Sequence, residues 1–485
     1  MVEAFLRSLP GTAGDTLGHR QKGDNVTESE HLTRAFEDDR SVFELMRQTR
    51  TRRVGYGYRI DSGTTEKHPV TGREMPQEKG PMEFVSNKAP LALTETEEAL
   101  LSWAACGPNG IAAWDISLGG GFHELVSIAG RTTPTAGNSL ATDVLIINDN
   151  GAQIYKPTYH RNEAVEMSGS QYDRVLEWYR KDTIQISDSR PDIDYAMRLP
   201  MAPHATLMGP YQHNMNKPGT SWFLPITDNG KLTSALVNLF DAWAMFPVDE
   251  FNGMQPAGVG EWVGEGKLEL PIPLAAFDQL WFQVEQYPVG MMIQNIRLAC
   301  ESMGLGHWNY CGFVPEVILG AYPDLTPGLG ATFAPMNERA PIATGAVQCH
   351  GWPGKWETTR VPSQKYPDAK ALVDAWYDEK YGDGAWGAEG ENNSLRKGQS
   401  PWKDPATVEG ILSHPKVKPQ SWVREAVQAH IEYCVANFGQ FPVTYNPLQM
   451  HFGVVVHHLD TDFYDKYYKD GYVTDRHRNH EHDWH

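Results

Sequence analysis

An apolar run that turns back on itself constrains the fold of this chain more than any other feature. Val144-Leu145-Ile146-Ile147 has the character of a strand. Asn148-Asp149-Asn150-Gly151 forms a turn in which Asn-Gly accepts positive φ, and Gln153-Ile154-Tyr155-Lys156 returns. The pattern predicts a β-hairpin, and so a sheet. The other strong signals are helical. Thr94-Glu95-Thr96-Glu97 is a capping box: the threonine hydroxyl accepts from the amide three residues on, and Glu97 reaches back. Ala99, Leu100, Trp103 and Cys106 follow on one face, and Gly107-Pro108-Asn109-Gly110 ends the helix. Val289, Met292, Ile293, Ile296, Cys300 and Met303 recur at helical spacing up to Gly304 and Gly306. Val423, Val427, Ile431, Cys434 and Phe438 do the same behind Ser421, the expected cap. Weaker helices are expected from Ser41 onward, over 172–181 and near 232–245. Residues 1–38 read as an irregular arm and 61–90 as a polar loop. Residues 185–280, dense in Pro, Gly and aromatics, read as a lid or large insertion.

Charge and cysteine usage narrow the function. Of 485 residues, 42 are Lys or Arg and 61 are Asp or Glu, a net charge of −19. A field of that sign disfavours nucleic acid and anionic membrane surfaces as partners. The five cysteines are widely spaced with no CxxC pair, which reads as reduced thiols. No signal-peptide pattern and no run of about 18 apolar residues is present, so a soluble, cytoplasmic protein is expected.

Three segments could carry chemistry. Arg50, Arg52 and Arg53 sit where a helix runs out, and guanidinium groups suit a phosphate. The plainer reading is a solvated basic face. Arg131-Thr132-Thr133-Pro134-Thr135-Ala136-Gly137-Asn138 offers small residues and hydroxyls to a flat heterocycle, or is a turn before a strand. Gly304-Leu305-Gly306 with Cys311-Gly312-Phe313 permits close approach of a ligand, or is a helix C-cap. The tail holds His457, His458, Asp460, Asp462, His477, His480, His482 and His485. These could ligate zinc. None forms a His-x3-His pair with an acid partner, so a surface or subunit-crossing arm is expected and no metal. No G-x-S-x-G, P-loop, H-E-x-x-H or helix-opening G-x-G-x-x-G is present.

Taken in order, the pieces resemble the flavin-dependent nitroreductase superfamily. Val42-Phe43-Glu44-Leu45-Met46-Arg47 leads into the Arg-rich motif, and Pro90-Leu91-Ala92-Leu93-Thr94-Glu95-Thr96-Glu97 runs on to Ala104-Ala105-Cys106-Gly107. Arg131–Gly137 is similar to a segment of the azoline-oxidase branch, and Gln294-Asn295-Ile296-Arg297-Leu298-Ala299 up to Gly304-Leu305-Gly306 is similar to the family's long helix. The resemblance covers about 40–157 and 285–345. It implies an α+β, nitroreductase-like sheet-and-helix sandwich with large insertions and a C-terminal extension. The implied division is an arm at 1–40, a flavin domain at 41–345 with an insertion at about 160–280, and an extension at 346–485. It also implies a homodimer with FMN at the interface. Arg50, Thr51 and Arg52 would hold the FMN phosphate and ribityl chain. Thr135, Ala136, Gly137 and Asn138 would lie beside the ring. Cys311 and Gly312 would face the reactive nitrogen, and Arg339 would close on the phosphate. The implied activity is hydride transfer between a reduced donor and a small planar substrate. The alternatives are a scaffold of the same fold that has lost the flavin, or a metal-dependent enzyme built on the tail's His/Asp cluster.

Overall fold

The hairpin becomes two adjacent strands of a seven-stranded sheet in the computed structural model. The structure describes residues 27–67, 72–112, 129–135, 139–158, 167, 169–194, 197–199, 202–206, 215–336, 347–397, 400–444 and 446–485. The strands are β1 Thr142–Asn148, β2 Gly151–Tyr155, β3 Thr183–Ser187, β4 Thr220–Asp228, β5 Gly306–Tyr310, β6 Leu448–Gln449 and β7 Gly453–His457. Their order is β5-β7-β4-β1-β2-β3, with β6 pairing the far end of β4. Every pairing is antiparallel. At the hairpin turn Gly151 has φ +114°, and a Cβ there would stand 2.1 Å from the Ser187 carbonyl oxygen, so only glycine fits.

Both faces of the sheet are covered, which is why Val144–Ile147 is apolar without alternation. Leu145 and Ile147 pack with Trp222, Trp308, Trp352 and Trp356. Val144 and Ile146 point the other way, onto Leu100 and Ala105 of one helix and Met292, Ile293 and Ile296 of another.

The helices used below are α1 Glu28–Phe36, α2 Val42–Gln48, α3 Glu95–Cys106, α4 Arg174–Asp182, α5 Thr233–Asp241, α6 Leu274–Met303, α7 Ala369–Tyr381, α8 Ser421–Phe438 and α9 Asp475–Trp484. The capping box of α3 forms as the sequence predicts: Thr94 Oγ1 accepts from the Glu97 amide at 3.2 Å, and the Thr94 amide donates to Glu97 at 2.6 Å. Ser41 caps α2 by accepting from the Glu44 amide. Gln420, not Ser421, precedes α8. The signal from Val289 to Met303 is only the second half of α6, which begins at Leu274 and contains Pro288. Its first half packs into a separate core, where Leu274 and Phe277 meet α5, α7 and α8. Its second half covers the sheet. One helix therefore ties two cores together.

Several expectations are corrected. The arm at 1–38 contains α1, capped by Thr27 and Glu30. The loop at 61–90 contains strand pairs, among them Arg59–Ser62 with Lys79–Val85. The insertion at about 160–280 supplies β4, a central strand, and the extension from 346 supplies β7, which lies between β4 and β5. The apolar strand of the tail joins the middle of the sheet, where its valines are buried on both faces. The chain is thus a mixed α and β protein whose sheet is assembled from both halves of the sequence. Among the described residues no helix is long and apolar enough to cross a membrane.

Candidate functional site

The chain leaves α2 at Thr49 and runs alongside β5. The Arg52 amide donates to the His307 carbonyl at 3.0 Å, and the Arg53 guanidinium lies 5.3 Å from the centre of the Trp308 ring. This places the arginine string beside the strand that leads into Cys311. Arg50 and Thr51 are exposed, with the Arg50 guanidinium 5.3 Å from the centre of the Tyr472 ring.

Arg52 is different. It is 1% exposed, and its Nη1 donates to Glu301 of α6 at 2.8 Å. Nε and Nη2 donate to the Tyr472 carbonyl, and Nη2 also donates to the Gln48 carbonyl. Its donors are taken up by the protein, so the expectation that Arg52 holds a phosphate is corrected. It is the counter-charge of a buried carboxylate. Burial pushes the Glu301 pKa up, and Arg52 opposes that shift.

The second motif also meets α6. Asn295 Nδ2 donates to the Thr132 carbonyl at 3.3 Å and to Thr133 Oγ1 at 3.0 Å. The two threonine hydroxyls close the end of α3, donating to the Trp103 and Ala105 carbonyls at 2.8 and 2.6 Å. Arg131 is buried, bonding the Thr142 and Pro157 carbonyls and Asp143. Thr135 Oγ1 accepts from the Leu140 amide at 3.2 Å. Ala136, Gly137, Asn138 and Arg339 lie outside the described residues. Cys311 is an exposed free thiol, and the Tyr310 hydroxyl donates to the Gly312 carbonyl.

Motifs more than 150 residues apart thus gather on α6 and on β5 just after it. Asn295 and Glu301 are six residues apart on α6, about 9 Å along its axis. A cavity of about 440 Å³ borders the same Arg131–Leu140 stretch, lined by Arg131, Ser139, Lys156, Lys231, Tyr366 and Trp376 among others. Burial lowers the Lys156 pKa and raises that of Asp228 in its wall. Glu285 of α6, beside Ser139, is pushed up by burial to about 7.

The tail forms a second constellation. His458 follows β7, and His480 and His485 come from α9 and the residue after it. All three rings meet Glu97 in the first turn of α3. His480 Nε2 is 2.7 Å from Glu97 Oε1, and His458 Nε2 is 3.6 Å from the same oxygen. His485 Nε2 is 3.6 Å from Glu97 Oε2 and 2.9 Å from His458 Nε2. Burial pushes the Glu97 pKa up, but contact with the three imidazoles overrides it and holds the carboxyl well below its ordinary range. The other tail residues stand apart: His457 bonds its neighbour's carbonyl, Asp460 caps a short helix, His477 faces Glu301, and His482 is exposed. The expected surface arm is therefore corrected for His458 and His480, which are buried. In the sequence Glu97 is legible only as the capping residue of α3, because that role accounts for its position without a second one.

No family model matches the chain, and no curated protein matches it. Among solved structures, a candidate nitroreductase from Ralstonia eutropha JMP134 is similar over 56% of this chain and 71% of that chain, at 13% identity and a TM-score of 0.23.

Proposed function

We propose that the chain is an FMN-dependent oxidoreductase that works as a homodimer and passes a hydride between a reduced donor and a small planar substrate. The observation that supports this reading is the gathering of the motif segments around α6. A bound flavin would supply the hydride chemistry. The chain's own residues would bind and orient it. Arg50 and Thr51, exposed beside the buried Arg52–Glu301 pair, are the groups available to a phosphate. Arg52 supports them from below without touching the ligand. Thr135 braces the turn that would lie along the ring, and the Tyr310 hydroxyl fixes the turn at Gly312. A second copy suits the apolar side chains that α2 and α6 leave in solvent, above all Phe43 at 79% and Tyr287 at 64% exposure, with Met46 and Met291.

The test is the visible spectrum of the full chain after incubation with FMN and removal of free flavin. Flavin bands at close to one FMN per chain are expected. Arg50→Ala should weaken binding by about 1.5–3 kcal/mol, the range for a hydrogen bond to a charged group. Protein that stays colourless overturns the reading and favours a scaffold without flavin.

A further inference from the structure

The Glu97 cluster contains more imidazole lone pairs than a metal-free pocket accommodates easily. His458 Nδ1 lies 2.8 Å from the Leu91 carbonyl oxygen, and His480 Nδ1 lies 2.8 Å from that of Met303. A carbonyl oxygen only accepts, so each Nδ1 carries its hydrogen. A neutral ring in that tautomer turns the Nε2 lone pair toward the cluster. Both lone pairs then face a carboxylate that is itself fully buried. His485 Nε2 adds a third nitrogen 2.9 Å from that of His458. Nitrogens and a carboxylate oxygen converging on one point, with the outer ring nitrogens tied to carbonyls, are the arrangement of a metal-ligating shell and its supports.

The spacing agrees. Ligand atoms about 2.0–2.1 Å from a tetrahedral zinc stand about 3.3 Å from one another. Glu97 Oε1 is 2.7 Å from His480 Nε2 and 3.6 Å from His458 Nε2, and His458 Nε2 is 2.9 Å from His485 Nε2; with one atom from each residue, the four ligand atoms lie within 4.8 Å of one another. The carboxylate is held in place as well: the Thr94 amide and hydroxyl donate to Glu97 Oε2 at 2.6 and 2.9 Å. The capping box of α3 thus also orients the acid. Three imidazoles and one carboxylate form a nitrogen-rich set of the kind zinc takes, and four protein ligands leave no open position.

We propose that Glu97, His458, His480 and His485 are the ligands of a structural zinc ion that clasps α9 and the end of β7 to the N-terminus of α3. The ion joins segments more than 350 residues apart in sequence. It stands independently of any flavin. The competing arrangement is metal-free: His480 as an imidazolium on Glu97, with His485 Nε2 donating to His458 Nε2.

Cobalt separates the two. The full chain, prepared without a histidine tag, is stripped with a chelator and titrated with Co²⁺. The zinc site predicts the intense visible absorption of tetrahedral cobalt, saturating at one ion per chain and abolished by added Zn²⁺. It also predicts that Zn²⁺ raises the melting temperature of stripped protein. His485→Ala, at the ligand nearest solvent, should weaken cobalt binding by more than about tenfold while leaving the far-ultraviolet circular dichroism unchanged. Should that variant fail to fold, the wild-type titration and melting shift decide alone. A wild-type chain with no tetrahedral cobalt spectrum and the same melting temperature with and without Zn²⁺ overturns the proposal and leaves the proton-bridged cluster.

Discussion

Replacing Arg52 by methionine should destabilise the chain far more than the same change at Arg50. The Arg52 and Glu301 side chains are 1% and 0% exposed. Arg52→Met leaves the Glu301 carboxylate buried without its counter-charge. His477 Nε2 is 3.9 Å away, but burial and Arg52 hold its pKa well below normal, and Arg40 and Arg50 oppose the Glu301 shift less than Arg52 does. Breaking a buried pair from one side costs about 3–5 kcal/mol. The Tyr472 and Gln48 carbonyls also lose their donors. Arg50→Met removes an exposed cation–π contact, worth about 0.5–1 kcal/mol, and a charge that acts on Glu301 less than Arg52 does. Arg52→Met with Glu301→Leu should recover most of the loss, because no charge is then left buried. The pH dependence follows from Glu301. Its folded pKa lies above its unfolded value, so protonation favours the folded state, and the Arg52→Met deficit should shrink as pH falls toward that unfolded value and grow as pH rises. Denaturant unfolding followed by tryptophan fluorescence measures all three variants. Wild-type stability in Arg52→Met, combined with lost FMN binding, would refute the buried-pair reasoning and return Arg52 to the ligand set.

Asp278, buried beneath Thr444, is pushed by burial from 3.8 to about 7. Its contribution to stability is complete below the unfolded pKa and is lost as pH rises to about 7. Asp278→Asn should therefore gain on wild type by about 1.4 kcal/mol per pH unit across that window, read from unfolding curves at several pH values. Gly304 closes α6 at φ +89°, and a Cβ there would stand 2.4 Å from the Arg476 carbonyl oxygen in α9. Gly304→Ala should cost at least about 1–2 kcal/mol and raise hydrogen exchange in α9 before the sheet. Phe43→Ser with Tyr287→Ser should yield a monomer in analytical ultracentrifugation if α2 and α6 form the dimer face; an unchanged dimer mass would place the interface elsewhere.

Local signals were legible where a short stretch held the whole cause. The hairpin needs only Val144–Lys156, and the α3 capping box only Thr94–Glu97. α1 was missed because its sequence is polar, with only His31 and Leu32 buried. β4 was missed because Pro225 reads as a strand breaker. It is tolerated because it sits at the break between the partners on one edge: β7 pairs β4 up to Phe223, and β6 resumes at Thr227. The start of α6 was hidden by Pro288 and by a change of the core it faces. The roles of Arg52 and Glu97 were out of reach for one reason. Their partners, Glu301 and the tail histidines, lie 249 and more than 350 residues away, and nothing in local spacing brings them together.

The flavin proposed for the segments gathered on α6 is open to a direct test. Calorimetric titration of the full chain with FMN tests it most directly. Saturable binding at one FMN per chain is expected, weakened in Arg50→Ala and retained in any folded Arg52→Met/Glu301→Leu double variant. Heat indistinguishable from dilution in the wild-type chain would contradict it.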